Sequence, residues 1–336
     1  MTGQADREPS GEKPTGPCVL IIGMHRSGTS AVAGAIGALG FTTPQPDDRM
    51  DWPESNPEHW ESLALALHDD KLLDRLGGSW DAPPDLRDDW ERSTDFSQLP
   101  EPGPVLAATF PGKGPFVWKD PRLCLLLPYW RPLLPVPLAA IFIWRSPLAV
   151  ANSLRKRDDM DLAHGVALWE RYNRSGIESL HGMNTYIANY ESLLNNPEGF
   201  VESVTAWLGS LSQFVDSTNT WDIGGAIDSV TGPKNQSEPD EDILLDGQRQ
   251  LVKDLTTNLG GHSPLTLAPA GCESPWSGAL IRARREYRSR ELDGAKDDLA
   301  VWKQAFEDIA GSTSWRITKP LRSVLNRHTK PGGSLP

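Results

Sequence analysis

A short apolar run that ends in a glycine loop, close to the start of the chain, limits the folds available to it. The segment CVLIIGM, residues 18–24, carries β-branched side chains and predicts a buried strand. The loop HRSGTS follows, and then SAVAGAIGALG, whose small residues predict a helix ending at Gly40. A strand, a glycine loop and a helix in this order are typical of a site that holds an anion on backbone N–H groups.

The loop lacks the lysine of a loop that binds nucleoside triphosphates. Such loops follow the pattern G-x-x-x-x-G-K-[ST]. Here Gly23 and Gly28 keep the spacing and Ser30 keeps the hydroxyl, but Thr29 stands at the lysine position. The backbone can still bind an anion, although the cation that reaches the terminal phosphates of a triphosphate is missing.

Two arginines are expected to supply the positive charge that a lysine and a metal ion supply in a metal-assisted phosphate site. Arg26 lies inside the loop, with His25 beside it. The clearest buried strand, in PLAAIFIWRSP, is followed by Arg145, where phosphoryl transfer would need an aspartate for Mg²⁺. The sequence therefore predicts an anion site that requires no metal ion.

Strands alternate with helices as far as residue 210. The segments PFVWKDP, PLAAIFIWRSP and TYIANY predict further strands, and HWESLALALHDDKLLDRLGG, LAVANSLRKR, DLAHGVALWERYN and PEGFVESVTAWLG predict helices. This alternation predicts an α/β fold in which a P-loop-type parallel sheet is flanked by helices. We divide the chain into a disordered leader (1–17), this domain (18–210), an irregular polar region (211–274) and a charged helical region with a basic tail (275–336).

The composition of the chain limits the kinds of partner that it is expected to bind. The net charge of −12 over 336 residues argues against nucleic acid, which is bound by excess Lys and Arg. No apolar stretch approaches the ~20 residues of a membrane span, and the polar leader is unlike a signal peptide. We therefore expect a cytoplasmic protein. The tail from Trp315 to Lys330 has basic and apolar residues and no acid, which suits either peripheral contact with an anionic membrane or pairing with the acidic body of the protein.

Two motifs together resemble those of sulfotransferases that use 3′-phosphoadenosine-5′-phosphosulfate. The loop HRSGTS resembles their 5′-phosphosulfate loop, P-[KR]-[SA]-G-[TS]-[TS], with His25 in the proline position. The segment WRSPLAVANS places Arg145 at a strand end and Ser153 eight residues later, as in the 3′-phosphate site of that family.

Other segments resemble a bacterial group of the same family. WKDPRLCLLLPYW is similar to a lysine-bearing segment of bacterial and tyrosylprotein sulfotransferases. NPEHWE, LWERYN and ANYESLLNNPE are similar to segments of the bacterial sulfotransferases with GMHRSGTS loops, which often lie near surface-polysaccharide genes. The resemblance covers about residues 18 to 210.

The resemblance implies sulfuryl transfer from this nucleotide to a hydroxyl, with a carbohydrate, glycan precursor or glycolipid as the acceptor and a small natural product as an alternative. It implies that the nucleotide is held by a set of loop and strand-end residues: His25, Arg26, Ser27, Gly28, Thr29, Ser30, Arg145 and Ser153. It also implies that Lys119 stabilises the leaving oxygen and that Glu61 is the general base. The family varies between His and Glu in the last role, so Glu54 and His59 are alternatives.

Structural interpretations compete with these roles. Arg145 could serve a surface ion pair, Lys119 could be an exposed charge, and Asp120 with Arg122 is expected to form a structural ion pair. Two other functions are alternatives to the enzyme: a non-catalytic nucleotide-binding scaffold in a glycan-assembly complex, and a nucleotide-dependent kinase. The absence of the loop lysine and of a strand-end aspartate counts against the kinase.

Overall fold

The structure is a computed structural model that describes residues 15–49, 60–86, 89–134, 136–215, 221–230, 244–267 and 273–311, with side chains as far as residue 294. Most of the predicted leader, the alternative bases Glu54 and His59, and the basic tail lie outside these ranges. None of the described helices has both the length and the apolar character needed to cross a membrane.

Within the described ranges, one five-stranded sheet organises the chain. Its strands are β1 (Cys18–Ile22), β2 (Phe116–Lys119), β3 (Leu138–Trp144), β4 (Asn184–Asn189) and β5 (Gly260–His262). The order is β2-β1-β3-β4-β5; the first four strands are parallel and β5 is antiparallel to β4. The predicted parallel α/β sheet is therefore confirmed. The strand order reverses between β1 and β3, and open α/β sheets bind ligands at the carboxyl ends of two such strands.

The predicted helices are confirmed as well, and additional short ones occur between them. The described helices are α1 (Thr29–Ala38), α2 (Leu63–Arg75), α3 (Trp90–Ser93), α4 (Pro102–Thr109), α5 (Leu123–Trp130), α6 (Pro147–Asp158), α7 (Leu162–Ser179), α8 (Tyr190–Asn195), α9 (Pro197–Ser210), α10 (Ile223–Ser229), α11 (Asp246–Thr257) and α12 (Pro275–Gly311). Single 3₁₀ turns lie at Pro46–Asp48 and Arg131–Leu133.

The sheet is buried on both faces, as its continuous apolar strands predict. Leu20 and Ile22 of β1 face a layer that includes residues of α2, α5, α6 and α7. Val19 and Ile21 face the opposite layer, which includes residues of α1, α8 and α9. Burial of each such side chain stabilises the fold by about 1.5–3 kcal/mol. This two-sided core fixes the ends of β1 and β3 beside each other.

Residues 211–274, for which the sequence indicates an irregular, polar region of uncertain structure, include regular elements in the part that the structure describes. That part contains α10, α11 and β5. Helix α11 buries only Gln248, Leu251 and Leu255, so its apolar pattern is too sparse to recognise in the sequence. Strand β5 reads Gly-Gly-His and has no strand signal; its place is set by pairing with β4.

The chain divides into two compact units, the first of which runs to Ala283, past the expected boundaries at residues 210 and 274. In the second unit the structure describes the continuation of α12 from Arg284 to Gly311.

Candidate functional site

The loop between β1 and α1 is tightly wrapped by its neighbours. A Cβ atom on Gly23 would lie 2.2 Å from the carbonyl oxygen of Ile143, and one on Gly28 would lie 2.0 Å from the ring of Tyr190. Arg26 and Gly28 both have left-handed backbone conformations, with φ of 68° and 91°. Two such residues in a short turn before a helix gather successive N–H groups into a concavity that suits an anion.

Replacing Gly28 with alanine is expected to destabilise the fold by about 2–4 kcal/mol, because the methyl group would overlap the Tyr190 ring and the residue has a positive φ. Gly182→Ala is the matched control: its φ is 76°, but nothing lies within 4 Å of the added Cβ. Denaturant unfolding of both variants separates the cost of the overlap with Tyr190 from the cost of the positive φ. Equal destabilisation would show that the contact between Gly28 and Tyr190 is not tight.

Three side chains of the predicted nucleotide site meet at the carboxyl ends of β1 and β3. Arg26 Nε donates a 2.8 Å hydrogen bond to Ser153 Oγ, although the two residues are 127 positions apart. Arg145 Nη1 donates a 3.3 Å bond to the carbonyl of Arg26. The sequence assigned Arg26 to the 5′-phosphosulfate, but its side chain contacts the residue assigned to the 3′-phosphate. Arg26 therefore links the two parts of the site.

Arg145 is buried and its surroundings leave polar atoms unsatisfied. Its guanidinium lies 4.8 Å from the centroid of the Tyr190 ring, and its Nε lies 3.7 Å from Glu191 Oε1. Among the described residues, Arg145 Nε, Ser27 Oγ and Ser146 Oγ are buried without a hydrogen-bond partner. Most buried polar atoms in proteins have such a partner. Each of these three atoms therefore has unused hydrogen-bonding capacity.

The two residues predicted to be catalytic form a buried ion pair on the other side of the loop. Lys119, the last residue of β2, contacts Glu61 Oε1 through its Nζ, which also lies 3.4 Å from Ser30 Oγ. Lys119 is 2% exposed, so it is not the exposed charge of the structural interpretation. Glu61 lies just before α2: it precedes Ser62, which caps the helix by accepting a bond from Leu65 N.

Arg122 joins this pair to a wider carboxylate network. Its backbone N–H donates to Asp120 Oδ1 at 2.8 Å and its Nη1 donates to the same oxygen at 3.1 Å, which confirms the predicted ion pair. The guanidinium also donates two bonds to Asp70, of 2.7 and 3.2 Å, and lies 3.9 Å from Glu61 Oε2. Burial raises the pKa of Asp120, although the charge of Arg122 opposes this shift. Sequence reasoning missed Asp70, which has no local signal.

His25 shapes the loop from its inner side. Its ring lies 4.9 Å from that of Trp80 and 5.6 Å from that of Tyr172, between centroids. Burial lowers the pKa of His25 well below its usual range, and the nearby charges of four basic residues lower it further: Arg122, Arg157, Lys119 and Arg26. The imidazole is therefore neutral near pH 7 and adds no charge to the site. Trp80 was not predicted.

The predicted site residues thus occupy one region, which is formed by the ends of β1, β2 and β3 and the starts of α1 and α6. His, Cys, Asp and Glu side chains of the described residues do not gather in groups of three or more that could hold a metal ion. The metal-independent mechanism stays a prediction.

No family model and no curated protein matches the chain. Among solved structures, it is similar to the sulfotransferase domain from the olefin synthase of Synechococcus PCC 7002, with a TM-score of 0.39 and 16% sequence identity. The match covers 82% of this chain and 97% of that domain. A likeness this distant carries no inference about the reaction, so the function has to be inferred from the residues of the site.

Proposed function

We propose that the chain is a sulfotransferase that transfers a sulfuryl group from 3′-phosphoadenosine-5′-phosphosulfate to an acceptor hydroxyl. The observation that supports this proposal is the convergence of Arg26, Arg145 and Ser153 beside a glycine loop that has a buried Lys119–Glu61 pair on its other side. A nucleotide with separate 3′ and 5′ anionic groups needs two sets of donors, which Arg145 with Ser153 and the loop N–H groups with Lys119 would supply.

The residues present fit such a nucleotide. Arg145 and Ser153 would hold the 3′-phosphate, with Arg26 between the two anionic groups. Backbone N–H groups of the loop would hold the 5′-phosphosulfate, together with the hydroxyls of Ser27, Thr29 and Ser30. The buried, unpartnered Ser27 Oγ and Arg145 Nε support this fit, since each lacks a partner in the described structure. Gly28 and His25 give the loop its shape.

The bound nucleotide supplies an activated sulfuryl group, and the chain contributes charge and proton transfer. Lys119 stabilises the negative charge that develops on the bridging oxygen of the leaving nucleotide. Glu61 accepts the proton of the acceptor hydroxyl. An anion at Ser30 competes with Glu61 for Lys119, because Lys119 Nζ lies 3.4 Å from Ser30 Oγ. This competition frees one oxygen of Glu61 for the acceptor.

The proposed acceptor is a hydroxyl of a carbohydrate, glycan precursor or glycolipid. Its support is the sequence resemblance to bacterial sulfotransferases alone. A transfer assay with labelled donor against glycan and lipid extracts of the producing cell would identify the acceptor. The same assay distinguishes an enzyme from a nucleotide-binding scaffold, which gives no labelled product.

Thermal unfolding tests the nucleotide assignment. Adenosine 3′,5′-bisphosphate at 100 times its dissociation constant is expected to stabilise the protein by about 2.7 kcal/mol. ATP with Mg²⁺ at the same concentration should stabilise it much less, because the loop has no lysine for the terminal phosphates. Stabilisation by ATP and Mg²⁺ alone would favour the kinase instead.

Arg145→Ala is expected to weaken binding of the bisphosphate by about 10- to 150-fold, the equivalent of one charge-assisted hydrogen bond. Binding of adenosine 5′-phosphosulfate, which lacks the 3′-phosphate, should change little. Arg155→Ala removes the same charge from an exposed position of α6 and serves as the control. Titration calorimetry measures the affinities of wild type and both variants for the two ligands. Equal losses for the two ligands in Arg145→Ala would make Arg145 a structural residue.

A further inference from the structure

An acidic side chain lies at the subsite assigned to the 3′-phosphate. Glu191, in the first turn of α8, places Oε1 3.7 Å from Arg145 Nε. The same oxygen accepts a 3.4 Å bond from Ser146 N at the start of α6, and Oε2 accepts a 3.0 Å bond from Asn189 Nδ2. A guanidinium and the N-terminus of a twelve-residue helix both attract anions, and one carboxylate lies against the two of them.

The fit of this carboxylate to its partners is loose. Arg145 Nε lies beyond hydrogen-bond distance of it, and Ser146 Oγ, at the N-cap position of α6, makes no cap bond. Both atoms are buried without a hydrogen-bond partner within the described ranges. The side chain of Glu191 is 36% exposed, against 10% for Arg145. Glu191 can therefore reach solvent by giving up its bonds from Ser146 N and Asn189 Nδ2, while Arg145 stays in place.

Arg145 does not depend on Glu191 for its position. Its Nη1 donates to the carbonyl of Arg26, its guanidinium lies over the ring of Tyr190, and its own carbonyl accepts a 2.8 Å bond from Trp169 Nε1. These contacts come from the loop after β1, from α7 and from Tyr190, the neighbour of Glu191 in α8. A role for Glu191 in orienting the guanidinium is therefore redundant.

We propose that Glu191 is an internal counterion of the Arg145 subsite, which the 3′-phosphate has to displace in order to bind. The inference rests on the proposed function, because it takes Arg145 as the 3′-phosphate site. A phosphate that enters this subsite repels the carboxylate and competes with it for Arg145 and for the N-terminus of α6. The product nucleotide keeps its 3′-phosphate after transfer. The return of Glu191 to Arg145 therefore favours product release.

The test is the affinity of Glu191→Gln for two probes, adenosine 3′,5′-bisphosphate and adenosine 5′-monophosphate. Glutamine keeps the size of the side chain and an oxygen for Ser146 N, but it removes the competing charge. We expect the variant to bind the bisphosphate about 3- to 30-fold more tightly than wild type. Binding of the monophosphate should stay within about twofold. Glu202→Gln, an equal charge change at an exposed position of α9, should alter neither affinity.

Three results would overturn the inference. Weaker binding of the bisphosphate by Glu191→Gln would show that Glu191 orients Arg145, and unchanged binding would show that the carboxylate does not compete. Tighter binding of both probes to the same extent would place the effect away from the 3′-phosphate and would also refute it. Failure of the wild-type protein to bind the bisphosphate is a different result, because it removes the proposed function itself.

Discussion

Glu61→Gln is expected to lower the turnover number for sulfuryl transfer by about 10²- to 10⁴-fold, the usual contribution of a general base. Glutamine has nearly the same shape and can still accept a bond from Lys119, but it cannot take the acceptor's proton. Affinity for adenosine 3′,5′-bisphosphate should change little, because Glu61 lies on the opposite side of the loop from Arg145. Turnover is measured with labelled donor, and affinity is measured by calorimetry on the same preparation.

Asp70→Asn is the control for this prediction. It removes a carboxylate from the same network, but Asp70 binds Arg122 at a side chain that is 46% exposed. Turnover of this variant should stay near that of wild type. Glu54→Gln and His59→Ala belong in the same assay. If Glu61→Gln keeps near-normal turnover and one of these two variants loses it, that other residue is the general base. If all three variants keep their turnover, the proton leaves by another route.

Lys119→Met is expected to lower turnover by about 10²- to 10³-fold, the typical cost of removing one group that stabilises charge in the transition state. It should also destabilise the fold by about 3–5 kcal/mol, because the buried Glu61 loses the cation that contacts it. Kinetics with labelled donor and thermal unfolding measure the two effects on one sample.

The double variant Lys119→Met with Glu61→Gln separates these effects. It contains neither charge of the buried pair, so most of the lost stability should return. The turnover number should remain as low as in the less active of the two single variants. Recovery of turnover together with stability would show that Lys119 acts only as the counterion of Glu61 and not on the leaving oxygen.

The sheet could be predicted because its signals are local. Strands β1 and β3 are continuous apolar runs, and Ser146 followed by Pro147 marks the start of α6. The elements missed were those whose place depends on distant partners. Strand β5 exists because β4 offers it an edge, and α11 packs through Leu251 and Leu255 in an otherwise polar segment. A short window of sequence contains neither piece of information.

The site was predictable as a set of residues, but not as a set of contacts. The spacing of Arg145 and Ser153 follows from a strand end and the helix after it. The bond from Arg26 to Ser153 joins the loop after β1 to a residue of α6 that is 127 positions later, and no local pattern indicates it. Glu191 had one usable signal: an acid two residues after the end of β4, at the same edge of the sheet as Arg145.

The strand order also has a consequence for synthesis of the chain. Strand β1 is made first, yet it lies between β2 and β3, and the loop behind it is closed by Tyr190 after β4. A nascent chain on the ribosome therefore carries the glycine loop for more than a hundred residues before Arg145 and Tyr190 emerge. Under the proposed function, nucleotide capture requires Tyr190 to have left the exit tunnel, so a bound nucleotide would report that the four parallel strands have been made, but not yet β5.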